Sequence, residues 1–117
     1  MSFENVRRFP SRSPSTDRMF FSRRELGVIL PVYGQMVAAG HCRDYDISSL
    51  RDSAVFSIFR RSSETPIYRI EKRDVGSNGK GGHVYSVIGM DGRVYRRGHD
   101  LKAVIGAFDS KRLRVVA

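Results

Sequence analysis

The sequence predicts an α+β fold in which two helices pack on one face of an antiparallel sheet of about five strands. Apolar residues recur with the helical period of 3.6 within residues 21–40 and 101–108, whereas from residue 42 the period changes to two in five strand-like stretches. The links between the alternating segments are mostly too short for parallel crossovers, which need a dozen residues or more. The expected order is therefore an antiparallel meander between an N-terminal and a C-terminal helix, α-β-β-β-β-β-α-β.

The first helix has clear start and stop signals. Ser22 and Glu25 fit the S-x-x-E capping box, in which each side chain satisfies a backbone N–H at the helix start. Gly40 is typical of a helix end, and Pro31 inside the helix predicts a kink, because it removes one hydrogen bond. The stripe expected to face the core consists of Leu26, Ile29, Leu30, Tyr33, Met36 and Val37.

Five strands are expected next, each rich in Val, Ile, Tyr or Phe and bounded by turn residues. They are "RDYDISS", "DSAVFSIFRR", "PIYRIEKRD", "GHVYSVIGM" and "GRVYRRG". Asp91-Gly92 predicts a hairpin between the last two, and the Gly-rich residues 75–82 predict a loop. Asp100 is the expected N-cap of the second helix, "LKAVIGAF", and "LRVVA" at the end of the chain predicts a last short strand.

The chain has 117 residues, a length that suits one domain. Residues 1–19, rich in Ser, Arg and Pro, are expected to be a disordered basic arm, and residues 20–117 to form the single α+β domain. Cys42 is the single cysteine, so no intramolecular disulfide is expected. No apolar stretch approaches the roughly 20 residues that span a bilayer. Together these features favour a cytoplasmic protein.

Motifs for catalysis and for metal binding are missing from the sequence pattern. His41, His83 and His99 show no H-x-x-x-H spacing, and Cys42 has no C-x-x-C partner. His99 is interpreted as a turn residue beside the helix cap Asp100. We therefore expect no enzyme, no cofactor and no metal site. An enzymatic site would require His99 and Asp100 to meet another His or carboxylate in one pocket.

The net charge of +9 is unevenly distributed along the chain. Residues 1–24 carry +4, residues 25–64 carry −1, and residues 65–117 carry +6. Such a positive field concentrates polyanions, whether nucleic acid, anionic lipid or an acidic protein.

The candidate binding site is a set of cations that recur near strand ends and on adjacent strands. It consists of Arg60, Arg61, Arg69, Lys72, Arg73, Arg93, Arg96, Arg97 and Lys102. The planar fork of arginine suits phosphate, and the interleaved Tyr68, Tyr85 and Tyr95 are expected to stack on bases. Arg96 and Arg97 are also expected to hold a phosphate beside the free N–H groups of the second helix.

We therefore expect a small non-enzymatic protein that binds nucleic acid through phosphate contacts on a basic sheet face. The alternative partner is an acidic protein, which an interaction adaptor would recognise through the same cations or add as a strand at a sheet edge. A third possibility is a solvated face whose arginines pair with nearby carboxylates. The sequence pattern leaves the choice open.

Four stretches resemble one known family. They are "RRELGVILPVYGQMVAAG", "RDYDI", "LRDSAVFSIFRRSSETPIYRIEKR" and "RRGHDL", and they lie within roughly residues 20–110. They resemble a family of short basic proteins of unknown function from alphaproteobacteria. The resemblance implies a bacterial cytoplasmic setting and no particular activity or site residues.

Overall fold

The computed structural model describes residues 18–61, 65–75 and 82–109. Its elements are α1 (Arg23–Ala38), β1 (Asp44–Ser49), β2 (Ser53–Phe59), β3 (Tyr68–Asp74), β4 (His83–Gly89), β5 (Val94–Gly98) and α2 (Leu101–Ile105), which a 3₁₀ turn extends over Gly106–Asp109. The α+β class, the five strands and both helices are confirmed. The predicted arm up to residue 17, the centre of the glycine-rich loop and the predicted "LRVVA" strand lie outside the described residues.

The five strands form one open antiparallel sheet in chain order, β1-β2-β3-β4-β5. The Asp91-Gly92 turn closes the β4–β5 hairpin as expected. Gly92 has a φ of +88°, which a residue without a Cβ adopts at little cost. Its N–H donates to the carbonyl of Gly89 at 3.0 Å.

The two faces of the sheet differ in what covers them. Phe56 pairs with Ile70, and Ile70 with Val87. All three are buried in one cluster with residues of α1 and α2, and this side is called the helix-side face. Because side chains alternate along a strand, the neighbours of these residues point to the other side. No described helix covers that side, which is called the open face.

Helix α1 begins with the predicted capping box. The Ser22 hydroxyl accepts from the Glu25 N–H at 3.0 Å, and the Glu25 carboxylate accepts from the Ser22 N–H at 2.7 Å. Helical structure continues through Pro31 to Ala38. The helix ends before Gly40, whose φ of +84° is the expected left-handed stop.

The apolar stripe of α1 is narrower than the sequence pattern indicates. Ile29 and Met36 are buried, whereas the side chains of Leu30 and Val37 lie partly exposed at the margin of the stripe. Tyr33 packs the second half of the helix against the sheet, because its ring contacts the rings of Tyr45 and Phe56 edge-on.

Within the part of the chain that the structure describes, no helix is long and apolar enough to cross a bilayer.

Candidate functional site

Antiparallel pairing gathers arginines at one end of the sheet. Phe59 at the end of β2 pairs with Asp44 at the start of β1, and Tyr68 at the start of β3 pairs with Gly89, just before the turn into β5. The arginines in or beside these strand termini are Arg43, Arg60, Arg61, Arg69 and Arg93. This set is called the arginine end.

The side chains of the arginine end are accessible to solvent. Arg69 is partly exposed on the open face, between Ser57 and Ile88 of the neighbouring strands, and the other four arginines are exposed. The Arg93 guanidinium lies 5.3 Å from the centre of the Tyr95 ring, in a cation–π contact.

Ion pairing leaves most of these charges uncompensated. Within the described segments, the salt bridges are Lys72–Glu25 and Arg73–Glu71, both with an N–O distance of 2.8 Å. Four members of the arginine end therefore have no carboxylate partner among the described residues: Arg43, Arg60, Arg69 and Arg93.

The sheet face itself does not form the expected basic surface. Arg69, Arg73 and Arg97 project from its open side. The carboxylates on that side are Asp44, Asp46 and Glu71, which balance the three arginines in number. The open face therefore carries no excess of arginines over carboxylates, whereas the arginine end gathers five arginines from strand termini.

Lys72 is not available to a surface ligand in this structure. It belongs to the same alternating series as Tyr68 and Ile70, so its side chain enters the helix side, where the residue is 6% exposed. Its ammonium donates to Glu25 Oε1 and to the carbonyl of Phe20, each at 2.8 Å. Lys72 therefore lies apart from the exposed cations of the predicted site in this structure.

Arg96 is likewise bound within the fold. The β4–β5 register shifts between Val87 and Ile88, and Arg96 lies opposite Val87 on the helix side. Its guanidinium donates to the carbonyl of Ala103 at 2.8 Å. Arg96 therefore braces α2 instead of joining Arg97 around a phosphate. Arg97 is exposed on the open face, and Lys102 is exposed on α2.

The three tyrosines expected to stack on bases face the core instead. Tyr68 and Tyr85 are buried, and Tyr95 packs edge-on against Tyr68 with 6.1 Å between ring centres. Burial raises the pKa of Tyr68 to about 12, while the nearby charge of Arg60 acts in the opposite direction.

A cleft of about 420 Å³ opens at the opposite end of the sheet. Its walls are the first turn of α1, Tyr85 of β4 and the turn from β5 into α2. Behind it, Glu25 accepts from the Tyr85 hydroxyl at 2.5 Å and from Lys72 at 2.8 Å. Burial by itself raises the pKa of Glu25. The hydrogen bonds from Lys72, Tyr85 and the Ser22 N–H lower the pKa by more than burial raises it, so the pKa of Glu25 is below its usual value.

His99 and Asp100 both line this cleft. Asp100 caps α2 as predicted, because its Oδ1 accepts from the Lys102 N–H at 3.1 Å. His99 Nδ1 lies 3.1 Å from the carbonyl of His83. A carbonyl only accepts, so Nδ1 carries the proton.

An enzymatic site would require His99 and Asp100 to meet a further His or carboxylate in one pocket. This cleft meets that requirement, because Glu25 lines it together with His99 and Asp100. However, the oxygens of Glu25 are already occupied by the Ser22 N–H, Lys72 and Tyr85. In the described part of the chain, no three His, Cys, Asp or Glu side chains are arranged to hold a metal ion.

Cys42 is a free cysteine whose side chain is buried. It is 1% exposed, and burial raises its pKa to about 11. The thiolate, which is the nucleophilic form, is therefore a small fraction at neutral pH.

Sequence reasoning missed two cations that the structure brings to these sites. Arg43 precedes β1 and joins the arginine end because its N–H donates to the carbonyl of Phe59. Arg24 joins Lys102 at the cleft. The pairing of the first two strands, each with an arginine at the shared end, was a signal that could have identified Arg43. No local signal marks Arg24, since its neighbours in the cleft are distant along the chain.

No curated protein and no solved structure matches the chain significantly. One family model, described as a protein of unknown function (DUF2794), matches residues 19–105, which include every element from α1 to α2. With the match covering most of the chain, this protein belongs to the DUF2794 family of proteins of unknown function.

Proposed function

We propose that this protein is a small, non-enzymatic, cytoplasmic protein that binds nucleic acid through phosphate contacts made by its arginine end. The observation that carries the proposal is the register of the sheet, which collects arginines distant in sequence at one end. Four of the five have no carboxylate partner in the described structure, so binding phosphate does not require a carboxylate to be displaced from them.

The dimensions of this end suit a nucleic-acid backbone. Adjacent strands lie about 4.8 Å apart, so the arginines that flank β1 and β5 span on the order of 19 Å. A double helix carries one phosphate charge per about 1.7 Å of its axis. Several phosphates therefore fall within reach of Arg43, Arg60 and Arg93 together.

The binding we propose is largely independent of base sequence. Phosphate contacts position a protein on nucleic acid without reading its bases. Of the tyrosines expected to stack on bases, Tyr68 and Tyr85 are buried, and Tyr95 is partly buried against the core. We therefore expect similar affinities for oligonucleotides of different sequence.

The test is fluorescence anisotropy with labelled single-stranded and double-stranded oligonucleotides at several NaCl concentrations. We expect the logarithm of the binding constant to fall linearly with the logarithm of salt, by about 0.9 per phosphate contact on duplex DNA. Arg60→Gln combined with Arg93→Gln removes two contacts. This variant should reduce the slope by about two and weaken binding at low salt.

The matched control is Arg23→Gln combined with Arg51→Gln. It changes the net charge equally, at two exposed arginines away from the arginine end. The control should keep nearly the wild-type slope. The proposal fails if the wild-type protein binds no oligonucleotide at low salt. It also fails if the two double variants show equal losses of affinity and of salt slope.

The second candidate function is a protein-interaction adaptor, which the exposed edge strand β1 favours. The side chains of Tyr45 and Ile47 on this strand are 41% and 40% exposed. An edge strand presents backbone groups that can pair with a strand of another protein. Purified protein that carries no nucleic acid and captures one defined acidic protein, with the capture lost on substitution of Ile47 by Pro, would favour this function.

A further inference from the structure

We propose that the cleft between α1 and α2 binds a small organic phosphate, independently of the arginine end. The volume of about 420 Å³ lies in the range of small-molecule sites, roughly 300–1,000 Å³. The two sites lie at opposite ends of the sheet.

Two unpaired cations give the cleft its preference for an anion. Arg24 of α1 and Lys102 of α2 both line it. Neither side chain has an ion pair or a hydrogen bond with a described residue, although Asp100 and Glu25 line the same cleft. Glu25 is neutralised from behind by Lys72, at 2.8 Å. Counting the Asp100 carboxylate, which has no cation partner among the described residues, the cleft side chains carry a formal charge of +1, and both cations can donate to one phosphate group.

The walls of the cleft also suit the organic part of such a ligand. Val28 and Leu101 supply apolar surface, and Tyr85 adds aromatic surface. One carboxylate oxygen of Asp100 caps α2, which leaves the other to accept from a ligand hydroxyl. Because His99 donates through Nδ1 to the carbonyl of His83, its Nε2 stays free for hydrogen bonding with the ligand or with water.

The polar cluster behind the cleft keeps this site in shape. Tyr85 and Lys72 are both less than a tenth exposed, and both donate to Glu25. Glu25 in turn fixes the first turn of α1 through the Ser22 N–H. Side chains held in this way are organised before a ligand arrives, which lowers the entropic cost of binding.

The free N–H groups of the two helices are not part of the proposal. At α1 the capping box occupies them in part, and at α2 Asp100 does so. Ligand recognition rests on the side chains of Arg24 and Lys102, from two different elements.

The experiment is a titration of the full-length protein followed by two-dimensional NMR of its backbone amides. The probes are adenosine 5′-monophosphate, inorganic phosphate and, as the uncharged control, adenosine. We expect the monophosphate to bind and to shift amides around Ser22, Tyr85 and Leu101. Adenosine should bind at least about tenfold more weakly, since the charged contacts are lost. A 5′-phosphorylated oligonucleotide, compared with its unphosphorylated form, shows whether a strand end can also supply the phosphate.

The variants that decide the matter are Arg24→Gln and Lys102→Gln, with Arg23→Gln as the matched control. Arg23 is the exposed neighbour of Arg24 on the same helix and does not line the cleft. Each cleft variant should raise the Kd for the monophosphate about tenfold, and Arg23→Gln should change it less than twofold. Binding equally weak in Arg23→Gln, or equal for adenosine and its monophosphate, would overturn the proposal, as would the absence of any shift at millimolar ligand.

The outcome is separable from that of the arginine end. Arg24→Gln and Lys102→Gln should keep the wild-type salt slope for oligonucleotides, and Arg60→Gln with Arg93→Gln should keep the wild-type Kd for the monophosphate. Loss of monophosphate binding in the latter variant alone would assign the ligand to the arginine end and contradict a site in the cleft.

Discussion

At the scale of single residues, Lys72 and Glu25 couple the sheet to the start of α1. Lys72 is buried, and its ammonium has two acceptors, Glu25 and the carbonyl of Phe20. A buried charge persists only when such partners replace its lost hydration. Glu25 meets the same requirement with donors from Lys72, Tyr85 and Ser22. Each group therefore depends on its partners being present.

Lys72→Met should lower the free energy of unfolding by about 3 kcal/mol at pH 7, because Glu25 keeps its charge in a partly buried position without its partner. The folded-state pKa of Glu25 is lowered, so the stabilisation by its charge is present above its unfolded pKa and is lost as the pH falls through the folded pKa. The loss of unfolding free energy caused by Lys72→Met should therefore be smaller at pH 3 than at pH 7. Urea unfolding of the wild type and the variant at both pH values measures this difference.

Glu25→Gln provides the comparison for this effect. Glutamine retains the capping box and removes the charge. Adding Lys72→Met to Glu25→Gln should cost less than adding it to the wild type, since no carboxylate remains unpaired. Equal costs in the two backgrounds would show that Lys72 stabilises the fold by packing alone.

At the scale of elements, the strands and helices were predictable because their apolar periods are local. All five predicted strands contain the observed ones, with differences of one or two residues at the ends. The sides on which charged residues lie were less predictable. Alternation with Tyr68 and Ile70 assigns Lys72 to the helix side and was a usable signal. The register shift that places Arg96 against α2 has no local signal.

Pro31 makes α1 less stable than its length would allow. It lies in the ninth position of a helix of 16 residues, where its ring removes an N–H and crowds the carbonyl of Gly27. Because Pro31 is exposed, Pro31→Ala restores the hydrogen bond without opening the core. The free energy of unfolding should rise by about 1–3 kcal/mol, which thermal and urea unfolding can measure.

Gly34→Ala is the control on the same helix. A Cβ at Gly34 would meet nothing within 4 Å, so the substitution gains from helix propensity alone, about 0.5–1 kcal/mol. Pro31→Ala should exceed this gain. A loss of stability in Pro31→Ala would mean that the proline ring makes contacts that outweigh the missing hydrogen bond.

At the scale of the whole molecule, the fold separates cations that are close in sequence and unites others that are far apart. Arg96 and Arg97 are neighbours, yet the first braces α2 and the second is exposed on the open face. Arg43 and Arg93 are 50 residues apart and flank the same end of the sheet. The net charge and the strand order followed from composition and pattern. The grouping of cations into two separate sets, one at each end of the sheet, could not be predicted in this way. It depends on the strand register and on the packing of α1, which only the structure shows.

The domain itself should be independent of residues 1–17. Every buried apolar residue of the described core lies between Phe21 and Ala107. The chain before α1 is bonded to the end of β1 by two hydrogen bonds. The Arg18 guanidinium donates to the carbonyl of Ser49, and the Met19 N–H donates to the carbonyl of Leu50. A chain that starts at residue 18 keeps all of these groups. We expect its thermal midpoint to stay within about 3 °C of the full-length value, since that change corresponds to well under 1 kcal/mol for a domain of this size.

The same truncation tests where the nucleic-acid site lies. Residues 1–17 contain three arginines and two acidic residues, so their removal changes the net charge by one. If the arginine end is the site, the truncated chain should still bind oligonucleotides, and Arg60→Gln with Arg93→Gln should still reduce its salt slope by about two. Anisotropy on the truncated chain and its double variant measures both quantities.

Two outcomes would contradict these predictions. A fall of 10 °C or more in the thermal midpoint would show that the removed residues pack on the domain. Complete loss of oligonucleotide binding with the midpoint unchanged would move the site from the sheet to the N-terminal segment.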